Sequence, residues 1–124
     1  MSITRVQLLS IPVTDQDRAR DFYIDVLGME LVRDMPMGPD MRWVQVRPKG
    51  AATSITLVTW FPSMPAGSLT GLVLETDDLD ADLERMRGHG VEIDGPVREE
   101  AWGRSAVVLD PDGNHLVIQA TTAP

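Results

Sequence analysis

Two side chains in this sequence could move protons or bind charge. Glu75 lies in an otherwise apolar run, residues 72–76, and His115 directly follows the turn sequence of residues 110–114. A carboxylate in apolar surroundings holds its proton more tightly unless it is paired, so Glu75 could transfer a proton, bind a cation or pair with an arginine. His115 could act as a catalytic base, or it could simply occupy the surface beside the turn.

Aromatic side chains give a second signal, because the chain has three Trp but only two Phe and one Tyr. Trp43 alternates with two valines along one predicted strand, so it shares a face with Gln45. Trp60 ends the following strand, and Trp102 precedes a later one. Tryptophans that line a cleft stack on flat ligands and attract cations, although each could instead fill a core or an interface.

Composition limits the choice of partners. The 124 residues, with 43% hydrophobic and 24% charged side chains, suit one globular domain. With 19 acidic and 11 basic residues, the net charge of −8 disfavours nucleic acid and favours a cationic ligand, although solubility alone would also explain it. No apolar run is long enough for a membrane span, no signal-peptide pattern opens the chain, and cysteine is absent. These features predict a cytoplasmic protein without disulfides or thiolate catalysis.

A repeat with an offset of 62 residues organises the chain. The aligned identities are Thr14 with Thr76, Asp15 with Asp77, Ala19 with Ala81, Gly28 with Gly90, Glu30 with Glu92, Arg42 with Arg104 and Val46 with Val108. Arg42 and Arg104 could pair with acidic residues across the two halves or bind a ligand carboxylate. The offset predicts two related modules rather than a solenoid of shorter repeats.

Each half repeats the same order of predicted elements, namely a strand, a helix and three further strands. The second helix starts at Asp77 or Asp78, and residues 91–93 form a short strand before a loop that holds Glu99 and Glu100. The predicted boundaries are residues 4–59 for module one, 60–68 for a linker and 69–120 for module two.

Two motifs carry a family resemblance. The first is Asp15-x-x-x-Ala19-x-x-Phe22-Tyr23 followed by Val26-Leu27-Gly28, and the second is the turn sequence of residues 110–114. In order and spacing they resemble the first-module signature and the last hairpin of the vicinal oxygen chelate superfamily, which includes glyoxalase I, extradiol dioxygenases, fosfomycin-modifying transferases and bleomycin-binding resistance proteins. The resemblance implies a single α+β domain, residues 1–124, in which two βαβββ modules form curved mixed sheets around a cleft, with helices on the outer face.

The resemblance also implies where a metal ion would bind in the metal-dependent members. The four family ligand positions correspond to Leu8, Thr56, Gly71 and Val117. Three of these residues have no side-chain donor atom and the fourth is a neutral hydroxyl, so we expect no metal cofactor. A departure from the family pattern, with Glu75, His115 and Gln119 as ligands, is the remaining alternative.

The resemblance and the missing ligands together predict a metal-independent protein that sequesters an aromatic or cationic small molecule. The predicted ligand-binding residues are Trp43, Gln45, Trp60, Glu75, Trp102, Arg104 and His115. One alternative is a lyase, isomerase or ring-cleaving dioxygenase of the same superfamily, metal-dependent through a non-standard site or using Glu75 or His115 as a base. Another is a partner-binding module with a vestigial cleft.

A homodimer is expected, because the superfamily often builds its clefts from paired modules of two chains. The apolar residues that could form such an interface are Met35, Met37, Met41, Trp60, Phe61 and Met64. Methionine side chains suit adaptable contacts of this kind.

Overall fold

A strand, a helix and three more strands occur twice along the chain, and a π-helical turn extends the first helix. The computed structural model describes residues 2–121 and divides the chain into two compact units between Ala66 and Gly67. Each unit contains one mixed sheet of four strands. The predicted α+β class and the repeated element order are confirmed. Within the described residues, no helix is both long and apolar enough to cross a membrane.

The first unit packs its helix on one side of its sheet. Its elements are β1 (Leu8–Pro12), α1 (Gln16–Asp21), the π-helical turn (Phe22–Val26), β2 (Glu30–Pro36), β3 (Arg42–Arg47) and β4 (Ser54–Val58). The strand order is β1-β4-β3-β2, with β1 parallel to β4 and the other pairs antiparallel. Tyr23, Ile11, Val44 and Leu57 are completely buried and form the centre of this core.

The second unit repeats this topology. Its elements are β5 (Leu72–Glu75), α2 (Leu79–Gly88), β6 (Ile93–Glu100), β7 (Gly103–Leu109) and β8 (His115–Thr121). The strand order is β5-β8-β7-β6, and β5 runs parallel to β8. Leu83, Met86, Val108 and Leu116 are buried almost completely between the helix and the sheet.

The starts of the two helices correct the predicted alignment by one residue. The Asp15 side chain caps α1 by accepting from the backbone N–H of Arg18, and Asp78 caps α2 in the same way through Ala81. The equivalent of Asp15 is therefore Asp78, 63 residues further on, and not Asp77. An aspartate at the N-cap satisfies a backbone donor that has no partner within the helix, which is why this position defines the helix start.

The π-helical turn explains why the offset then returns to 62 residues. The backbone N–H of Leu27 donates to the carbonyl of Phe22, five residues back, at 3.1 Å. Such a turn accommodates one extra residue in a helix. Gly28 and Gly90, which follow the two helices with positive φ angles of 78° and 75°, are again 62 residues apart.

β6 is much longer than predicted. It continues to Glu100, so Glu99 and Glu100 lie in a strand and not in a loop. The pairing with β7 shifts between Asp94 and Arg98, which marks a bulge that contains a glycine and a proline. These residue types are typical of turns, and they hid the strand in the sequence.

Candidate functional site

The helix-distal face of the first sheet, meaning the face that does not pack against α1, carries the candidate ligand-binding residues of this unit. The helix is tied to the sheet by Gln16, the first residue of α1, which donates through Nε2 to the backbone carbonyls of Arg42 and Leu57, both at 2.8 Å. Val44 and Val46 are completely buried. Because side chains alternate along a strand, Trp43 and Gln45 lie on the opposite, helix-distal face of β3, as predicted.

Three aromatic rings meet beside this face. The Trp43 and Trp60 rings are stacked, with centroids 6.4 Å apart and an angle of 24° between their planes. The Phe61 ring lies 6.0 Å from Trp60 at 51°. We call these three residues the aromatic cluster. Phe61 is 44% exposed, so the cluster presents ring surface to solvent. Sequence reasoning assigned Phe61 to an interface only, although its place directly after Trp60 was the signal.

Gln45 fixes the orientation of the Trp43 indole. Nε1 of Trp43 donates to Oε1 of Gln45 at 3.0 Å. An indole N–H can only donate, so the oxygen of the Gln45 amide must face Trp43 and its NH₂ group points away. Gln45 therefore presents two donors beside the aromatic cluster.

A polar row continues from Gln45 across the sheet. Gln45 lies opposite Thr56 on β4, and Thr56 lies beside Ser10 on β1. The hydroxyl oxygens of Ser10 and Thr56 are 3.1 Å apart and share a hydrogen bond. The polar row consists of Gln45, Thr56 and Ser10. Ser10 was missed by sequence reasoning, because its strand contains no other polar residue to mark the face.

The four family metal-ligand positions do not fit a divalent ion. Leu8, Gly71 and Val117 offer no side-chain donor, and the hydroxyl of Thr56 is hydrogen-bonded to Ser10. Between residues 2 and 121, no group of three or more His, Asp or Glu side chains lies close enough together to hold a metal ion. Zinc and its neighbours need about three or more protein ligands, so this donor set is unsuited to them.

Glu75 and His115 do not converge on one site. Glu75 is exposed, which corrects the expectation of a buried carboxylate. It lies beside Gln119 in the pairing of β5 with β8, whereas His115 is four residues earlier on β8 and therefore about 13 Å away along the strand. Nε2 of His115 instead lies 3.6 Å from a carboxylate oxygen of Asp94. The alternative metal site made of Glu75, His115 and Gln119 is not formed.

Glu75, the last residue of β5, lies beside an open cavity. Together with Asp77 and two threonines, Thr76 and Thr121, it lines an open cavity of about 510 Å³. Two carboxylates at one cavity favour a cation over an anion. Trp102 lies in the turn between β6 and β7 and is 49% exposed, so its ring is available for contacts.

Arg42 belongs to an ion-pair cluster under the first unit's helix. It donates to Asp34 through Nε at 2.9 Å and Nη2 at 2.8 Å, and its Nη1 lies 2.8 Å from Asp17 on α1. Arg20 donates to the same Asp34 carboxylate at 2.7 Å. Hydrogen bonding to Arg42, opposed by partial burial and reinforced by Arg20, lowers the pKa of Asp34 from 3.8 to about 2.

Arg104, the repeat equivalent of Arg42, is engaged in the same manner within the second unit. Its Nη1 and Nη2 donate to Asp80 on α2 at 3.0 and 3.1 Å, and Nε lies 3.2 Å from Glu99. The hydrogen bonds from Arg104 hold the pKa of Asp80 below its usual range. In the described part of the chain, both arginines pair with acids of their own unit, which engage most of the donor groups that a ligand carboxylate would need.

Comparison with known proteins places these observations in context. Residues 4–118 match the family described as the Glyoxalase/Bleomycin resistance protein/Dioxygenase superfamily. The chain is 32% identical over 120 residues to the uncharacterized protein YetH of Bacillus subtilis (strain 168), which covers 94% of this chain and 98% of that protein.

Solved structures resemble the chain over nearly its whole length. TnmS3, described as an antibiotic binding protein from Streptomyces sp. CB03234, has a TM-score of 0.91 and 52% sequence identity, covering 98% of this chain and 99% of that one. A glyoxalase/bleomycin resistance protein/dioxygenase superfamily member from Sphaerobacter thermophilus DSM 20745 has a TM-score of 0.89 and 35% identity, covering 97% and 99% of the two chains.

Proposed function

We propose that this chain, which belongs to the Glyoxalase/Bleomycin resistance protein/Dioxygenase superfamily, binds a flat aromatic small molecule and sequesters it without chemical change. The observation that carries the proposal is the stacked pair of Trp43 and Trp60 on the helix-distal face of the first sheet. A planar ligand would stack on the ring surface that this pair and Phe61 present. Each aromatic stacking contact contributes about 0.5–1.5 kcal/mol beyond the area that it buries.

Gln45 and the polar row would give such a ligand its orientation. The Gln45 NH₂ group lies beside the aromatic cluster and can donate to an oxygen on the edge of the ligand. Next to it, the partly exposed Ser10, whose hydroxyl shares a hydrogen bond with the buried Thr56, adds a further polar group. A ligand with an aromatic plane and one oxygen-bearing edge matches this arrangement.

Charge favours a cationic ligand. The chain carries a net charge of −8, and tryptophan faces attract cations at distances of about 6 Å or less from the ring. Glu75, in its open cavity with Asp77, would add a carboxylate contact for a positively charged group. Trp102 and His115 would be further contacts from the second unit. Arg104 is not proposed as a contact, because its guanidinium already pairs with Asp80 and Glu99.

The relatives support binding as the activity. TnmS3, with which the chain shares 52% identity, is described as an antibiotic binding protein. An antibiotic of aromatic character is therefore the ligand class that we propose for this chain, and protection by sequestration is the biological role that follows. A cytoplasmic location stays a prediction.

Catalysis is the alternative function, because the His115 imidazole lies 3.6 Å from the Asp94 carboxylate. A carboxylate beside a histidine can orient the ring, as in general bases. Mass spectrometry of ligand recovered after long incubation separates the two functions. Unchanged ligand supports sequestration, and a product whose formation stops in the His115→Gln variant supports catalysis.

Binding is tested by calorimetric titration with proflavine, a flat aromatic cation, and with spermidine, a cation without rings. We expect proflavine to bind saturably and spermidine to bind at least about tenfold more weakly, since stacking supplies much of the affinity. The Trp43→Leu and Trp60→Leu variants should weaken proflavine binding by about tenfold or more.

Leu31→Ala is the control, because Leu31 is an exposed apolar residue of β2 that lies outside the aromatic cluster. It should leave the affinity for proflavine unchanged. Equal affinity in the wild type and in the Trp43 and Trp60 variants would remove the aromatic cluster as the binding site. The Trp102→Leu variant then shows whether the second unit contributes a contact.

We also propose that the chain forms a homodimer through the methionine-rich β2–β3 hairpin. Met35, Met37 and Met41 are all exposed on this hairpin, and Phe61 adds further apolar surface in the same unit. Exposed apolar groups of this kind are typical of interfaces. Light scattering coupled to size exclusion at micromolar concentration should give twice the chain mass of 13.7 kDa, and a mass of one chain would contradict the dimer.

A further inference from the structure

A further cavity opens on the second unit, beside the bulge of β6. It has a volume of about 350 Å³, and its lining includes Asp94, Gly95, Pro96, Arg98 and Ser105. A volume of about 300 Å³ or more is sufficient for a small organic molecule. The aromatic cluster belongs to the first unit, and none of its three residues lines this cavity.

Ser105 is a buried polar group in this cavity. Only 7% of the residue is exposed, but its side chain lines the cavity, where solvent reaches the hydroxyl and no hydrogen bond joins it to the described part of the chain. A hydroxyl in this setting can donate to a ligand atom.

Arg98 lies directly opposite Ser105 in the pairing of β6 with β7, so both side chains lie on the same face of the sheet. In the described part of the chain, Arg98 makes no ion pair or hydrogen bond. Other arginines do pair with carboxylates, namely Arg20, Arg42, Arg47, Arg85 and Arg104. In a protein with 19 acidic residues, an arginine beside a cavity and without a carboxylate is positioned for an external anion.

The bulge explains how the cavity arises. Three residues of β6, between Asp94 and Arg98, lie opposite a single residue of β7. Gly95 adopts a positive φ of 82°, and a Cβ atom built on it would meet no atom within 4 Å. A bulge on an edge strand bends the strand and leaves part of the ladder unpaired. The bulge residues Gly95 and Pro96 line the cavity together with Ser105.

We propose that Arg98 and Ser105 form an oxyanion site, which binds the carboxylate or phosphate group of a small molecule. The planar guanidinium of Arg98 can donate two parallel hydrogen bonds to such a group, and the Ser105 hydroxyl can donate a third. Asp94 of β6 pairs with Val107, which is two residues further along β7 than Ser105 and so about 7 Å from it. The Asp94 carboxylate repels the anion and confines it to the Arg98 end of the cavity. This site goes beyond the proposed function, because it takes an anion and uses neither the aromatic cluster nor Glu75.

The test uses the full ¹⁵N-labelled chain and three non-aromatic probes at constant ionic strength, which are cyclohexanecarboxylate, its uncharged amide and inorganic phosphate. We expect an oxyanion probe to shift the backbone amides of residues 95, 97, 98 and 105–107 saturably, with the uncharged amide at least about tenfold weaker. Tighter binding of cyclohexanecarboxylate assigns the site to carboxylates, and tighter binding of phosphate assigns it to phosphates.

Variants identify the groups responsible. Arg98→Gln should weaken binding of the better oxyanion probe by about tenfold or more, and Ser105→Ala by about three- to tenfold. Arg98→Lys should recover part of the loss, because lysine keeps the charge but lacks the planar fork. Arg87→Gln is the matched control, since it removes the same charge from α2 and should change the affinity by less than about twofold.

Three results would overturn the proposal. One is equal affinity for the carboxylate and its uncharged amide. Another is wild-type affinity in Arg98→Gln. The last is a linear response of the cavity amides up to about 10 mM of both oxyanion probes, which would mean that no site forms at a useful affinity. The Trp43→Leu variant should bind these probes like the wild type, so failure here is distinct from failure of the aromatic site.

Discussion

On the helix-distal faces of the two sheets, rows of side chains at equivalent positions are polar in one unit and apolar in the other. In the first sheet, the row through the middle of the strands is the polar row of Gln45, Thr56 and Ser10. The equivalent row of the second sheet consists of Val107, Val117 and Val73. Three hydrogen-bonding side chains in one unit thus correspond to three valines in the other.

The neighbouring row shows the reverse exchange. In the first sheet, Trp43 lies opposite Met35, and Pro12 lies beside Val58. The equivalent row of the second sheet consists of Arg98, Ser105, Gln119 and Glu75. An apolar, aromatic row in one unit therefore corresponds to a fully polar row in the other.

This difference shows which positions of a repeated unit are free to diverge. The helix-facing valines and leucines must fill a close-packed core, and they stay apolar in both units, as Val46 and Val108 illustrate. Side chains on the helix-distal face do not pack against the helix, and even the buried ones among them, Thr56 and Ser105, are polar. The two faces have diverged in chemistry while the backbone pairing stayed the same.

The largest expected effect concerns Gly103, whose repeat equivalent in the first unit is Met41. A Cβ atom at Gly103 would lie 2.3 Å from the backbone carbonyl oxygen of Ala120, and the φ angle of Gly103 is 151°. We expect Gly103→Ala to lower the free energy of unfolding by about 2–4 kcal/mol, as measured by urea denaturation.

Gly95→Ala is the matched control for this substitution. Gly95 also has a positive φ but has open space around its Cβ position, so it should cost only about 1 kcal/mol. Equal losses of stability in the two variants would mean that the first residue of β7 can move away from Ala120 at no cost, which would contradict the close approach at Gly103.

The second prediction compares the ion pairs of Arg42 and Arg104. The Asp34 side chain is 20% exposed, whereas the Asp80 and Glu99 side chains are 74% and 75% exposed. Asp34→Asn should lower the free energy of unfolding by about 2 kcal/mol, because Arg20 and Arg42 lose their least exposed carboxylate partner and keep only the more exposed Asp17 and Asp21. Glu99→Gln should have an effect of less than about 0.5 kcal/mol. Similar losses would show that shielding does not distinguish the two clusters.

The third prediction concerns pH. Asp34 has an ordinary pKa of 3.8 when unfolded and about 2 when folded, so its ion pairs stabilise the protein above pH 3.8, and this stability disappears as the pH falls through about 2. We expect a loss of about 1–2 kcal/mol from this group after allowance for solvent screening. Thermal unfolding between pH 5 and pH 2 measures it, and the Asp34→Asn variant should show a shallower decline. Identical slopes in both proteins would be evidence against the assignment.

The smallest expected effect tests the exchanged rows directly. Thr56→Val removes the hydroxyl that is hydrogen-bonded to Ser10 and should cost about 1 kcal/mol in the free energy of unfolding. The reciprocal substitution in the second unit, Val117→Thr, should cost less than this, because Val117 is only half-buried and its new hydroxyl can reach solvent. A larger loss for Val117→Thr would indicate that the valine row is packed as tightly as a core.

Much of the fold could be predicted from the sequence. The family resemblance is confirmed by the match over residues 4–118, and the repeated element order is the one observed. The last hairpin is also as expected. The Asp110 carboxylate accepts from the backbone N–H groups of Asp112 and Asn114 at 2.9 Å, which is turn chemistry that residue types alone indicate.

The candidate site was only partly predictable. Trp43 and Gln45 were placed correctly on one face, because alternation along a strand is a local rule. Ser10, Phe61, Arg98 and Ser105 were missed as site residues, since their roles depend on which strands lie side by side. Glu75 and His115 were both singled out, but only strand register shows that about 13 Å separates them.

The sequence by itself determined the order of the elements and the ends of most of them, with β6 as the exception, through caps, glycines and the periods of apolar residues. These signals are local, so they act over one or two turns of chain. Only the tertiary structure decided the one-residue extension of the first helix, the stacking of Trp43 on Trp60 and the partners of each arginine. The aromatic stacking and most of the arginine pairs join residues that are distant in the chain, and the π-helical turn, although local, has no marker in the residue types. Their energies depend on the pairing of strands and the packing of helices, which no local pattern records.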